Sequence, residues 1–148
     1  MVDADVLVAA QRHLDELPPS ADTSQHRIRF TSLDHVIQQC RTSLERSEQI
    51  CVLASGDPGF FGIVRSLATA LGSDNLDVHP SPSSVSLAFA RLGLPWDDAT
   101  VASCHGRPIE GAVRQVRGSD KCAVLVSADA SPQALGAALL DAGCESLV

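Results

Sequence analysis

Three short polar segments combine residue types that bind or process a small ligand. They span positions 55–59, 79–84 and 103–108, and each lies at the end of an apolar run that predicts a buried strand. In open parallel sheets, ligands bind outside the carboxyl ends of the strands, where loops lead into helices. We therefore expect the first two segments to line one crevice, with the third at another strand end.

The first segment reads Ser-Gly-Asp-Pro-Gly. Gly56 and Gly59 leave the backbone bare on both sides of Asp57, so a ligand can lie directly against it. A phosphate would use the amino end of the following helix, but a carboxylate stands there and no lysine follows the glycines. The pattern favours an uncharged or cationic ligand. The alternative is that Asp57 only caps the helix, because Asp before Pro is a favoured helix start.

The second and third segments offer hydroxyl, imidazole and guanidinium groups. Ser81, Ser83 and Ser84 supply short donors and acceptors, although plain helix capping would need only one of them. His105 and Arg107 flank a glycine in the third segment. A single histidine is more often structural than catalytic, so both a structural role and a substrate contact stay open for His105.

Strand and helix patterns alternate along the chain. Apolar runs predict strands over 4–10, 50–54, 76–79, 100–105 and 122–128. Helical spacing and caps predict helices over 33–44, 61–71, 83–92, 108–116 and 132–142, with 18–25 as a polar loop. This order predicts an α/β fold with a mostly parallel sheet flanked by helices.

Individual capping signals set the ends of several predicted helices. Thr31 with Asp34 resembles a capping box, and Ser131 with Pro132 resembles an N-cap followed by the first helical residue. Gly93 closes the helix over 83–92.

Composition limits the classes of function. The chain has 148 residues, 45% hydrophobic and 20% charged, which is enough for a folded domain with a core. Its net charge of −7 would repel nucleic acid. No apolar run approaches the roughly 20 residues of a membrane helix, and the start is acidic, so we expect a cytoplasmic protein without a membrane partner. Five cysteines without a C-x-x-C pattern indicate neither a disulfide framework nor a metal site.

Several of these segments, taken together, resemble the tetrapyrrole methylase family. The matching blocks are SGDPGFFG at 55–62, HPSPSSVSLAFARLGLPW at 79–96 and HGRP at 105–108, in that order. The opening ADVLVAAQRHLDELP at 4–18 and the stretch at 123–143 are also similar to family segments. Within the family, the chain resembles the C5-methylating portion of precorrin-6Y C5,15-methyltransferases.

The resemblance implies a two-domain α/β enzyme, usually a homodimer, that holds S-adenosylmethionine between its domains and methylates a ring carbon of a corrin precursor. It implies that two loops contact the cofactor, through Ser55, Gly56, Asp57, Phe60, Ser83 and Ser84. On the substrate, Arg107 is expected to bind a carboxylate, and His105 to contact substrate or accept a proton.

The resemblance also divides the chain. Residues 1–117 match the amino-terminal domain without the Gly-rich strand and loop with which that domain usually begins, and 118–148 match the beginning of the second domain. Two other functions stay open: a non-catalytic binding or assembly domain, and a methylase acting at another tetrapyrrole position.

Overall fold

Strands and helices alternate along residues 4–18 and 24–144, the part of the chain that the computed structural model describes. All the strand pairs in it are parallel, and helices connect the strands. The predicted α/β class is therefore confirmed. Contacts divide the chain into two units, Met1–Pro82 and Ser83–Val148, each described by itself below. The predicted division into 1–117 and 118–148 stays a prediction.

The first unit is built around a three-stranded sheet in the order β2-β1-β3. Its elements are β1 (Val6–Ala9), α1 (Gln11–Glu16), β2 (His26–Arg29), α2 (Leu33–Glu45), β3 (Ile50–Val52), α3 (Val64–Leu71) and a 3-10 turn (Ser73–Asn75). All four residues of the central strand β1 are buried, and Val8 packs with Val36, Cys40 and Leu67 of the helices. Burying a side chain such as that of Val8 contributes about 1.5–3 kcal/mol.

The second unit contains a two-stranded parallel sheet and three helices. Its elements are α4 (Ser84–Leu92), β4 (Thr100–Ser103), α5 (Ile109–Val116), β5 (Cys122–Leu125) and α6 (Pro132–Asp141). The core lies where α5 and α6 cover the sheet, around Ala102, Cys104, Val113 and Leu139. No helix in the described part of the chain is long and apolar enough to span a membrane.

Several predicted helix ends are confirmed. Ser131 is the N-cap of α6, Pro132 is its first residue, and the Ser131 hydroxyl accepts a hydrogen bond from the Ala134 N–H. Gly93 ends α4 in the left-handed conformation (φ 68°), as the stop signal predicts.

The helix α2 begins at Leu33 as predicted, but the predicted capping box at Thr31 is wrong. Ser32, rather than Thr31, is the N-cap, and its hydroxyl accepts a hydrogen bond from the His35 N–H at 3.2 Å. The Thr31 hydroxyl lies instead 3.0 Å from Nδ1 of the His35 ring. Both residues are good caps in general, so the sequence pattern alone does not separate them.

The predicted strand over 76–79 does not form. These residues are neither helix nor strand, Val78 is 41% exposed, and the side chains of Asp77 and His79 pair with each other in solvent. Prolines at 80 and 82 follow directly, and proline removes the N–H that a strand ladder needs.

Two elements of the first unit were not predicted. The strand β2, His-Arg-Ile-Arg, has only one apolar residue and lies at one side of the sheet, and α1 is a short helix without a side-chain cap. Of the predicted polar loop at 18–25, residues 19–23 lie outside the described part of the chain.

Candidate functional site

The turn that contains Asp57 follows β3 at the carboxyl edge of the first sheet. The strand β1 lies beside β3 in parallel, with Val8 opposite Val52. The residues after β1, including Arg12, therefore start from the same edge as the turn after β3. This is the edge at which ligands bind in parallel α/β sheets.

Hydrogen bonds within the turn fix the Asp57 side chain. Gly56 has a φ of 67°, a conformation that favours glycine. The Asp57 carboxylate accepts a hydrogen bond from the Gly59 N–H at 2.8 Å, and the Asp57 carbonyl accepts one from the Phe60 N–H at 3.2 Å. Asp57 thus caps a turn that precedes the helix.

The helix itself starts later than its sequence predicts. Its first residue is Val64 rather than a residue near 61, and its N-cap is Ile63, which has no side-chain cap. The interpretation of Asp57 as a plain cap of this helix is therefore wrong, because the intervening turn separates the two.

The chemistry of the turn fits a ligand that is cationic at this point and apolar beside it. Asp57 is half-buried, and in the described part of the chain its Oδ2 atom accepts no hydrogen bond. Phe60 is also half-buried, and its ring meets that of Phe61 edge to face with centroids 5.0 Å apart. A carboxylate and a phenyl ring three residues apart in one turn offer both a negative charge and an apolar surface.

Arg12 and His13 also belong to this edge, although no function was predicted for them from the sequence. The Arg12 guanidinium donates to the Ser55 hydroxyl at 2.5 Å and to Nε2 of His13 at 3.3 Å. The family-like block at 4–18 contains both residues, but only the fold shows that they contact the turn.

The serine pair at the start of α4 divides into a cap and an exposed hydroxyl. Ser83 is the N-cap, and its Oγ accepts a hydrogen bond from the Ser86 N–H at 3.0 Å. The Ser86 hydroxyl in turn donates to the Ser83 carbonyl at 2.8 Å. Ser84 is exposed, and within the described residues its hydroxyl forms no hydrogen bond. Capping thus accounts for Ser83 and leaves Ser84 without a structural role.

His105 and Arg107 lie in the loop that follows β4, and both are exposed. The His105 N–H donates to the Ser103 hydroxyl at 3.2 Å, the Arg107 N–H donates to the Cys104 carbonyl at 3.2 Å, and Gly106 between them has a φ of 65°. These bonds form a tight turn that presents both side chains to solvent at a strand end.

The thiol next to His105 is not available as a nucleophile. Burial raises the pKa of Cys104, and the nearby Glu110 carboxylate raises it further. The side chain is only 1% exposed. A buried thiol with a raised pKa forms little of the thiolate that reacts, so Cys104 serves the core.

The predicted cofactor residues lie in both units. Ser55, Gly56, Asp57 and Phe60 lie in the first unit, and Ser83 and Ser84 lie in the second. The predicted single crevice between the two loops stays a prediction. In the described part of the chain, no cluster of three or more His, Cys, Asp or Glu side chains is placed to hold a metal ion.

Comparison with known families decides which family this arrangement represents. Residues 1–146 match the tetrapyrrole (corrin/porphyrin) methylases. The chain belongs to this family. This tetrapyrrole methylase is 34% identical to the precorrin-6Y C(5,15)-methyltransferase [decarboxylating] of Sinorhizobium sp over 97% of its own length. It is 30% identical to the cobalt-precorrin-7 C(5)-methyltransferase of Salmonella typhimurium over 95% of its own length.

Solved structures share the fold of this tetrapyrrole methylase. The crystal structure of the methyltransferase CobJ has a TM-score of 0.73 at 20% identity and covers 96% of the chain. The precorrin-6Y methylase of cobalamin biosynthesis from Archaeoglobus fulgidus has a TM-score of 0.58 at 22% identity and covers 90%.

The chain is shorter than these proteins. It spans 34% of the Sinorhizobium relative, 67% of the Salmonella relative and 66% of each of the two solved chains.

Proposed function

We propose that this chain takes part in the transfer of a methyl group from S-adenosylmethionine to a ring carbon of a corrin precursor. We further propose that the acceptor is the C5 position of a precorrin-6Y-like substrate. The observation that carries the proposal is the turn at 55–60, with its half-buried Asp57 carboxylate, at the carboxyl edge of a parallel sheet. The family match and the names of the two relatives support it.

The bound cofactor supplies a methyl group that is already activated on a positively charged sulfonium. The protein therefore needs no nucleophile, and its residues bind, orient and exclude water. Good alignment of two reactants accounts for about 7–11 kcal/mol of a barrier. Asp57 offers negative charge to the cationic cofactor, and Phe60 offers an apolar contact that keeps water away from it.

Ser83 and Ser84 have separate parts in this proposal. Because its Oγ caps α4, Ser83 offers the cofactor mainly its backbone. Ser84 offers an exposed hydroxyl that is not engaged with the rest of the described chain. Such a hydroxyl can both donate and accept a hydrogen bond with a bound sugar or amino acid group.

Arg107 and His105 are proposed to act on the substrate side. A guanidinium binds a carboxylate through two parallel hydrogen bonds, which suits a substrate with acidic side chains. His105 is exposed at the same strand end and can take up the proton that the macrocycle loses after methylation. Both variants, Arg107→Ala and His105→Ala, should reduce turnover, and unchanged turnover would remove both roles.

Calorimetry tests the cofactor site directly. The wild-type chain should bind S-adenosylmethionine and S-adenosylhomocysteine, which differ in the charge on sulfur. Asp57→Asn keeps an oxygen that accepts from the Gly59 N–H but removes the negative charge. We expect this variant to lose about five-fold in affinity for S-adenosylmethionine, equivalent to about 1 kcal/mol, and less for S-adenosylhomocysteine. A well-folded wild-type chain that binds neither compound would overturn the proposal.

The position of methylation needs a separate experiment. Incubation of the chain with precorrin-6Y and 13C-methyl-labelled S-adenosylmethionine should give one labelled methyl group, located on the macrocycle by NMR. A label on C5 supports the proposed acceptor. A label on another ring carbon would keep the methyltransferase and reject C5.

A further inference from the structure

Three side chains, two from the helix α1 and one from the turn after β3, form a closed hydrogen-bonded cluster at the carboxyl edge of the first sheet. Nη2 of Arg12 donates to Oγ of Ser55 at 2.5 Å, and Nε of Arg12 donates to Nε2 of His13 at 3.3 Å. Oγ of Ser55 lies 3.3 Å from the same Nε2 atom. We call these three residues the Arg12 cluster. It joins the start of α1 to the turn that carries Asp57.

The cluster holds the guanidinium in one orientation. A guanidinium has several N–H donors in a rigid plane, and two of them are fixed here, one by His13 of the same helix and one by Ser55 of the turn. Within residues 4–18 and 24–144 no carboxylate forms an ion pair with Arg12. Arg46 of the same unit, in contrast, lies 3.9 Å from Glu48. Arg12 is thus an oriented cation without an anionic partner in the described chain.

His13 orients Arg12 at an energetic cost. Because Nε2 accepts the Arg12 hydrogen bond, the ring proton lies on Nδ1. Nδ1 is buried and has no hydrogen-bond partner in the described structure. Leaving a buried polar group unsatisfied costs about 1–3 kcal/mol. Such exceptions call for an explanation, and here the ring uses its only acceptor to hold the guanidinium.

We propose that Arg12 binds a carboxylate of the ligand and that His13 and Ser55 are positioning residues that aim its guanidinium. The inference rests on the proposed function, which supplies two carboxylate sources. One is the amino acid part of S-adenosylmethionine, and the other is the set of acidic side chains of a corrin precursor. An oriented guanidinium with its outer N–H groups exposed matches the planar, two-oxygen geometry of either source.

Calorimetry of charge-matched variants tests the site. Arg12→Gln is compared with Arg46→Gln, which removes the same charge from the end of α2, at the opposite edge of the sheet. The ligands are S-adenosylhomocysteine, cobyrinic acid as a corrin polycarboxylate, and the full methyl ester of cobyrinic acid. We expect Arg12→Gln to lower the affinity for either S-adenosylhomocysteine or cobyrinic acid about ten-fold, equivalent to about 1.4 kcal/mol. Arg46→Gln should lower the affinity for neither ligand.

The pattern of losses identifies the carboxylate. If Arg12→Gln loses affinity for S-adenosylhomocysteine, the site binds the carboxylate of the cofactor. A loss for cobyrinic acid but not for its ester assigns the site to the substrate. Equal affinities of the two variants for every ligand that the wild type binds would overturn the inference.

An NMR titration keeps this test separate from that of the proposed function. Glutarate is added to the full chain while the arginine Nε–H resonances are followed. We expect the Arg12 resonance to shift in a saturable manner and that of Arg46 to shift little. If the wild type binds neither the cofactor analogue nor the corrin, the proposed function fails, and the glutarate titration alone decides whether Arg12 binds carboxylates. Equal shifts of the two resonances would then overturn the site.

Two His13 variants separate positioning from stability. His13→Gln keeps an oxygen that accepts from Nε of Arg12, whereas His13→Leu does not. We expect His13→Gln to retain most of the carboxylate affinity and His13→Leu to lose it, with the methyl ester unaffected. His13→Leu also removes the unsatisfied Nδ1. Its stability in urea should therefore not fall along with its carboxylate affinity. If both variants bind equally well, His13 has no positioning role.

Discussion

Gly62 lies directly against the backbone of Pro58. A Cβ built on Gly62 would lie 2.3 Å from the Pro58 carbonyl oxygen and 2.8 Å from its carbonyl carbon. The same carbonyl accepts the hydrogen bond of the Val64 N–H at 3.1 Å. The neighbouring Phe61 has a φ of 53°, which is uncommon for a residue with a side chain. The loop between Asp57 and α3 therefore closes only if residue 62 has no side chain.

The first prediction concerns Gly62→Ala. We expect this variant to lose about 1–3 kcal/mol of unfolding free energy, because the obstructing atom belongs to the backbone and the turn must open. Urea denaturation followed by circular dichroism measures the loss. A Gly62→Ala chain as stable as the wild type would show that the turn opens without cost.

Gly136→Ala is the matched control for this change. Gly136 lies inside α6, and among the described residues nothing beyond its chain neighbours and the backbone of its own helix lies within 4 Å of the position that its Cβ would take. Alanine lowers the conformational entropy of the unfolded chain and favours the helix, so we expect a gain of about 0.5–1 kcal/mol. The two substitutions add the same methyl group and should change the unfolding free energy with opposite signs.

The second prediction separates two adjacent hydroxyl residues at the start of α2. Ser32→Ala should cost about 1 kcal/mol, because it removes the acceptor for the His35 N–H. Thr31→Ala should cost less, since among the described residues its exposed hydroxyl contacts only the His35 ring and no backbone donor of the helix. Urea denaturation of both variants gives the comparison. A larger loss for Thr31→Ala would restore the capping box that the sequence predicts.

The elements that were predictable from sequence are those whose signal lies within their own residues. The buried run around Val8 and the Ser131 cap appear in the structure because burial and capping follow directly from residue type. The run Leu-Asp-Val-His over 76–79 alternates apolar and polar residues as a half-buried strand does, but a strand also needs a partner, and partners are not visible in a local pattern. The strand β2 is the opposite case. Its charged residues did not predict a strand, yet it forms because it pairs with β1.

The residues of the candidate site also divide into those that the local sequence reveals and those that only the fold reveals. The glycines and carboxylate of the turn at 55–59 could be recognised from their types and order. The contact between Arg12 and Ser55 joins residues 43 positions apart, so it depends on β1 and β3 lying side by side. His13 gave no local signal either, because its buried Nδ1 becomes visible only once the ring is packed.

The third prediction uses the different roles of two neighbouring serines. Ser83→Ala should cost about 1 kcal/mol of stability, because it removes the cap that accepts from the Ser86 N–H. Ser84→Ala should leave stability within about 0.5 kcal/mol of the wild type, since the side chain is exposed and makes no hydrogen bond within the described residues. If Ser84 contacts the cofactor as proposed, its variant should nevertheless weaken S-adenosylhomocysteine binding. Unchanged calorimetric affinity for Ser84→Ala would remove that residue from the site.

The fourth prediction concerns acid stability and begins from the pair Lys121 and Asp98. Nζ of Lys121 donates to Oδ1 of Asp98 at 2.6 Å and to the Pro95 carbonyl at 3.0 Å. The hydrogen bond from Lys121 holds the pKa of Asp98 below its ordinary value of 3.8. A carboxyl group whose pKa is lower in the folded state stabilises the fold above its unfolded pKa. This contribution disappears as the pH falls through the lower, folded value.

Asp98→Asn isolates this contribution, because asparagine keeps an oxygen for Lys121 but cannot ionise. At about pH 6 the variant should be less stable than the wild type. The difference in unfolding free energy between variant and wild type should narrow as the pH falls. It should begin to narrow near pH 3.8 and should vanish below the pKa that Asp98 has in the folded state. Since Asp98 is 65% exposed, salt should reduce the difference at neutral pH as well. Urea denaturation across this range measures both effects. Asp77→Asn is the control, because the Asp77 carboxylate pairs with the exposed His79. A stability difference between Asp98→Asn and wild type that stays constant down to the lowest pH would mean that the charge of Asp98 does not contribute to folding.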